Sequence, residues 1–405
     1  MLLSRTLGLA LIALGLVDGA AAQQSQNGGH QSPVVPNVTG PTLGEAGRGF
    51  VGVQLGYFYA EDGPGNGNPY LDEELTVIEP VLVFDYNVSD RTAIGGSLSY
   101  DHVTSASIDR LSNFPDQSGA SGDNYIGVDL GLRHMMDSEW ILGGRIGGSV
   151  EYDYTSISLG FNATQPLASG DASVTYSFDA FFDTLDVIRF NGVEEGSDDR
   201  TSLNAAVQWY QIFSPRRHGT FGVTLTQQNG FLETPYNAVV VLDPLLPPNP
   251  NLDNMARGVE RTEELPSDRF RLAAYGRVRT SIDQRRAWEL GGRLYGDTWG
   301  VNSLTVEPRY YWAAIPGKLD WRFRYRFYTQ TEADDFGEEF FTDFTGPEQL
   351  RTQDSDLGAF NAHTLGMKWT WFLKHQDTFH IGIDYTLRSD GLDYYFANTG
   401  WTWSF

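Results

Sequence analysis

Residues 319–331 read LDWRFRYRFYTQT. Leu319, Trp321, Phe323, Tyr325 and Phe327 alternate with Asp320, Arg322, Arg324, Arg326 and Tyr328. In an extended strand successive side chains point to opposite faces, so one face is aromatic and the other carries three guanidinium groups. A soluble sandwich would bury the rings in a core and turn the arginines to water. A membrane barrel would turn the rings to lipid and the arginines to its lumen, because an Arg facing hydrocarbon at the midplane costs roughly 2–4 kcal/mol. One strand does not decide between these, so the rest of the chain must.

From Phe50 onward the same period of two returns in segments of strand length separated by turn clusters, a signal that is weak in each segment and gains weight by repetition. Strands are expected near 50–60, 74–87, 92–105, 123–135, 139–150, 153–164, 172–184, 201–214, 219–229, 267–283, 287–298, 301–313, 319–331, 358–372, 378–389 and 392–405. That makes about sixteen, in a range of roughly 14–18, with edges good to a few residues. Trp288, Leu290 and Leu294 oppose Glu289, Arg293 and Asp297; Leu304, Val306, Tyr310 and Trp312 oppose Glu307 and Arg309; Phe270, Leu272 and Val278 oppose Arg271, Arg277 and Arg279. The lumen-lining candidates are therefore Arg271, Arg277, Arg279, Glu289, Arg293, Asp297, Glu307, Arg309, Asp320, Arg322, Arg324 and Arg326. Glu79, Asp85, Asp129, Arg133, Arg145, Lys368, Asp384 and Arg388 extend the set to other strands.

The N-terminus reads as an export signal: Arg5, an apolar run from Leu7 to Val17, then Ala20-Ala21-Ala22 as a cleavage-type triplet. The run is too short to span a bilayer, and no later apolar stretch reaches the length of a membrane helix. The expected organisation is a signal peptide at 1–22, a flexible segment at 23–48 rich in Gln, Asn, Gly and Pro, and a single barrel at 49–405. Cysteine is absent, which excludes disulfides, thiolate metal sites and cysteine nucleophiles. Removing residues 1–22 takes away Arg5 and Asp18 and leaves the net charge at -24, a balance that argues against nucleic acid as a partner.

Connection lengths supply an orientation. Short turns at 89–91, 137–138, 215–218, 283–286, 316–318 and 374–377 alternate with long segments at 106–122, 185–200, 230–266 and 332–357. Bacterial barrels place short turns in the periplasm and long loops outside, so both termini are expected in the periplasm. Several short turns carry Arg or Lys, whereas 332–357 holds nine acidic residues against the single Arg351. Aromatic residues gather near strand ends, at Trp369, Trp371, Phe372, Trp401, Trp403 and Phe405, as rings at a water–lipid boundary do. A terminal Phe405 preceded at alternate positions by Trp403 and Trp401 resembles the C-terminal signal read by the barrel assembly machinery.

Four further pieces, Glu264-Leu265-Pro266-Ser267-Asp268-Arg269, Tyr295-Gly296-Asp297-Thr298-Trp299-Gly300-Val301, the run from Tyr325 to Phe336, and Glu151-Tyr152-Asp153-Tyr154, resemble an uncharacterised family of bacterial outer-membrane barrels known only as a domain of unknown function. The resemblance covers most of the chain after the signal. It implies a fold and a location, and brings no substrate, cofactor or catalytic residue.

The arginine stripe has two readings: a transverse field across a water-filled lumen, or internal neutralisation by Glu289, Asp297, Glu307 and Asp320 as polar filling. Glu332, Asp334, Asp335, Glu338, Glu339 and Asp343 form either a cation-attracting rim or a solvated anionic loop, without the ligand spacing of a calcium loop. His134, His218, His363, His375 and His380 are scattered and lack zinc-site spacing, and no G-x-S-x-G is present. No catalytic, metal or cofactor residue is assigned. The leading expectation is a porin-like channel in the outer membrane, narrowed by loop 230–266 or 332–357, with outer-membrane lipid, the assembly machinery and a small polar solute as partners. The alternatives are a non-conducting scaffold for a periplasmic partner and, behind it, a membrane-embedded hydrolase with a Ser and a His together at the rim.

Overall fold

The computed structural model describes residues 43–61, 69–70, 74–105, 121–167, 170–342 and 349–405. The predicted signal peptide, most of the segment 23–48, nearly all of loop 106–122 and Asp343 lie outside the described residues.

Sixteen strands close into one barrel. They are β1 (Gly49–Glu61), β2 (Glu74–Ser89), β3 (Thr92–Ser105), β4 (Ser121–Met135), β5 (Ile141–Val150), β6 (Tyr154–Pro166), β7 (Ala172–Ile188), β8 (Glu194–Ser214), β9 (Arg217–Gly230), β12 (Asp268–Ser281), β13 (Arg286–Asp297), β14 (Asn302–Ile315), β15 (Leu319–Gln330), β17 (Phe360–Phe372), β18 (Thr378–Arg388) and β19 (Asp393–Ser404). Each pairs antiparallel with its neighbours in chain order, and β1 pairs with β19 to shut the cylinder. Closure leaves no edge strand with unpaired amides. Phe405 extends the seam: its N–H donates to Gly49 O at 3.0 Å, Gly49 N–H donates back at 2.9 Å, and its ring stacks on Tyr86. Within the expected segment 23–48, the described end is pinned to the same rim, with Gly44 N–H donating to Asn87 Oδ1 and Gly47 N–H to Asn87 O, both at 2.8 Å.

The barrel is inverted relative to a soluble protein. Alternate residues on the outside are apolar and exposed, Leu290, Leu294 and Leu365 at 59–64% among them, while the inner face buries Arg133, Glu289, Glu307, Arg309 and Arg322. A water-soluble monomer does not carry a continuous apolar surface of this extent. Outward rings form a belt at the short-turn end, running Trp288–Tyr310, Trp312–Trp321–Trp369 and Trp371–Phe379–Trp401–Trp403 with centroids 5.0–6.2 Å apart.

Two differences from the sequence reading arise at the opposite end. Residues 185–200, expected as a long loop, continue β7 to Ile188 and start β8 at Glu194, joined by a tight turn in which Arg189 N–H donates to Val193 O. The acidic run Glu194, Glu195, Asp198, Asp199 is incompatible with lipid but not with a strand, and here the hairpin stands beyond the apolar wall. The second difference is a small sheet built from the two longest connections. β10 (Ala238–Leu242) and β11 (Gly258–Thr262) lie between β9 and β12, and β16 (Phe340–Phe341) lies between β15 and β17; β10 pairs antiparallel with β11 and parallel with β16. The apolar clusters that are fully enclosed sit mostly in this cap: Val240 packs with Phe190, Ala238 and Leu252, Val239 and Val241 pack with Phe340, and Leu357 packs with Leu265, Trp299 and Ala333.

Candidate functional site

Inside the barrel, charge is organised by register. Arg277 of β12 lies 3.2 Å from Glu289 and 3.7 Å from Glu307; Arg309 reaches Glu307 at 2.5 Å and Glu289 at 3.4 Å; Arg324 reaches Glu307 at 3.0 Å and Asp384 at 3.1 Å. This network runs from β12 to β18. On the facing wall Arg133 pairs with Asp85 at 2.5 Å, and Arg145 joins Asp129 at 2.5 Å to Asp179 at 2.9 Å. Glycines let such pairs pass over an intervening strand. Gly160 separates Arg145 from Asp179, and a Cβ there would sit 2.5 Å from Asp179 Oδ1; Gly366 separates Arg324 from Asp384 in the same way.

The remaining candidates divide. Arg279 lies over the Tyr311 ring at 3.8 Å, Arg326 over Tyr328 at 4.9 Å and Arg293 over Tyr295 at 5.4 Å; among the described residues none of the three has a carboxylate within ion-pair distance. Arg322 is buried beside Lys368, its register partner, and Asp320 is half-buried near the turn end. Asp297 is fully enclosed and structural: its Oδ2 accepts from Arg269 Nη2 at 2.5 Å and from the Tyr295 hydroxyl at 2.7 Å, while its Oδ1 accepts from Trp299 N–H and Val301 N–H, both at 3.0 Å. Arg271 lines a cavity with Arg293. Ion-paired arginines and arginines set over aromatic rings therefore occur together in the barrel. Trp401 and Trp403 point outward in the belt, and Phe405 sits at the seam.

The cap closes over the long-loop mouth through side chains that period-two reading misses, since most lie in irregular segments and recruit partners distant in the chain, 113 residues away for Val240 and Gln353. Glu263 accepts from Thr234 N–H at 2.8 Å and from Thr352 Oγ1 at 2.6 Å. Val240 N–H donates to Gln353 Oε1 at 2.7 Å, and Arg351 Nε donates to Thr262 O at 3.0 Å. Burial first, then the Asp354 charge, pushes the Glu263 carboxyl up to about 8; burial first, then Asp356, pushes Asp354 up to about 6. A short 3-10 turn, Ser355–Leu357, descends to the inner wall, where Gln330 Nε2 donates to Asp356 O at 2.9 Å and to Gly358 O at 2.6 Å, and Arg388 pairs with Asp356. Among the described residues no three His, Asp or Glu converge as a metal site, and the loop acids Glu332, Asp334, Asp335, Glu338 and Glu339 do not form one.

Fold and lining define a closed β-barrel with an apolar exterior, a charged interior and a capped mouth. The chain belongs to the family described as protein of unknown function (DUF3570), whose family model matches residues 112–394. No curated protein matches it. Among solved structures it is similar to a bacterial polysaccharide outer membrane secretin (9% identity, 88% of this chain and 98% of that chain, TM-score 0.48). Others are the CymD monoaromatic hydrocarbon channel (9%, 89% and 89%, 0.42) and OccK1 (OpdK) of Pseudomonas aeruginosa (9%, 88% and 98%, 0.39). At this level of similarity what those proteins carry does not transfer to this chain.

Proposed function

We propose that the protein is an outer-membrane channel for small polar solutes, with its termini and short turns in the periplasm and its cap outside. The observation that carries this reading is the partition of side chains in a closed sixteen-stranded cylinder: apolar outward on alternate residues, ionic inward. A cylinder of this strand number is wide enough for an aqueous path. Arg279, Arg293 and Arg326 bias that path toward anions, since charged groups lining a narrow pore set its selectivity. Reconstitution into planar bilayers tests it: ionic current steps with anion preference are expected, and a barrel that passes neither current nor solute in liposome-swelling assays refutes it.

A second reading, a non-conducting scaffold, draws on the cap, whose own apolar core and paired strands make it a plug as well as a constriction. Replacing residues 236–262 by a short Gly-Ser linker separates the two. A channel conducts before and after the replacement, with larger steps afterwards; a plugged scaffold conducts only afterwards.

A further inference from the structure

Between β9, β12 and β13, beneath the 3-10 turn of the cap, lies a cavity of about 80 Å³. Thr224, Thr226, Arg271, Arg293 and Tyr295 form its wall; Asp356 and Leu357 form its roof, with Gln330 and Arg269 at the margin. On this measure one water needs roughly 10–15 Å³, so the space holds several waters or one compact polar group.

We propose that this cavity is an oxyanion subsite, binding the carboxylate or phosphate group of a small solute. Charge supports it: Arg271 and Arg293 line the space, while the marginal Arg269 is paired with Asp297 and the roof carboxylate of Asp356 is paired with Arg388. Arg293 has no carboxylate partner among the described residues, and its guanidinium carbon lies 5.4 Å from the Tyr295 ring centroid. A guanidinium without a carboxylate partner can offer the forked, two-point bonding that carboxylate and phosphate oxygens accept. Thr224 and Thr226 add hydroxyl donors on the same wall. The roof adds a consequence: because Gln330 and Arg388 hold Ser355–Leu357 in place, the outer loop itself completes the subsite.

The inference deepens the channel reading, and its test does not depend on conduction. Purified full-length protein in detergent is titrated calorimetrically with inorganic phosphate and, separately, with acetate. Saturable binding of at least one is expected. Arg293→Gln is expected to weaken it about tenfold or more, the worth of one charge-assisted hydrogen bond. Arg217→Gln, at an exposed turn on the opposite rim, should leave it unchanged. Arg293→Lys, which keeps the charge and loses the fork, should fall between, and it serves if the Gln variant fails to assemble. No saturable binding of either anion, or binding that neither Arg293 substitution weakens, overturns the subsite. Binding without current in bilayers would instead overturn the channel reading and leave the subsite standing.

Discussion

Arg324 on β15 and Asp384 on β18 are joined at 3.1 Å although their strands never pair; Gly366 of β17 lies between them and contributes no side chain. The pairing is ionic filling that stitches three strands together, and it depends on the absence of one Cβ. A side chain at Gly366 would collide with Asp384 Oδ1. Gly366→Val should therefore separate the pair and destabilise the barrel by up to about 3–5 kcal/mol, the range for breaking a buried ion pair. Gly144→Ala, at a β5 position with nothing within 4 Å of its new Cβ, should be neutral. Urea unfolding in lipid vesicles, followed by heat-modifiable gel migration, measures both, and equal stability of the two variants would contradict the geometry.

Asp297 illustrates a second structural role for a buried charge, the holding of a turn. Asp297→Ala removes the carboxylate facing Arg269, which lies 4.1 Å from the Trp299 ring, and frees the Trp299 and Val301 amides of the β13–β14 turn. A loss of about 3–5 kcal/mol is expected. Asp297→Asn keeps the turn acceptor and should lose less, which the same unfolding assay resolves.

Cap stability should fall as pH rises. The carboxyl of Glu263 titrates near 8 in the folded cap against an ordinary 4.5, so the folded state holds the proton more tightly than the unfolded one. Its contribution is complete below about 4.5 and is lost as pH rises through about 8. Asp354 adds in the same direction over a lower window, from its ordinary 3.8 to about 6. Amide exchange at Thr234 and Val240, corrected for intrinsic rate, should accelerate between pH 5 and 8.5 while barrel amides hold. Glu263→Gln should flatten the profile, and a profile unchanged by that substitution would remove Glu263 as its cause.

Because the chain has no cysteine, single substitutions report water access without a competing thiol. Arg279→Cys, Arg293→Cys and Arg326→Cys should react with a membrane-impermeant maleimide in vesicles, and Leu290→Cys, Leu294→Cys and Leu365→Cys should not. Labelling of the leucine set would put the apolar face in water and defeat the membrane assignment.

Strand identity and facing were legible in the chain because they are local: a period of two in side-chain polarity is imposed on every segment by the solvent on each side, and Leu319 to Tyr328 displays it within ten residues. The count of sixteen followed from repeating that test. The acidic segment at 194–199 was misread because charge signals exposure to water, which a projecting hairpin satisfies as well as a loop.

What the sequence by itself determined is thus the alternation and the strand number. Which arginine meets which carboxylate was decided only by the tertiary structure, as was the joining of two loops some hundred residues apart into one cap. Both depend on register and closure, where glycines such as Gly160 and Gly366 open a path across a strand and Glu263 finds Thr352. These are long-range contacts selected by the geometry of the whole cylinder, and no local pattern encodes them.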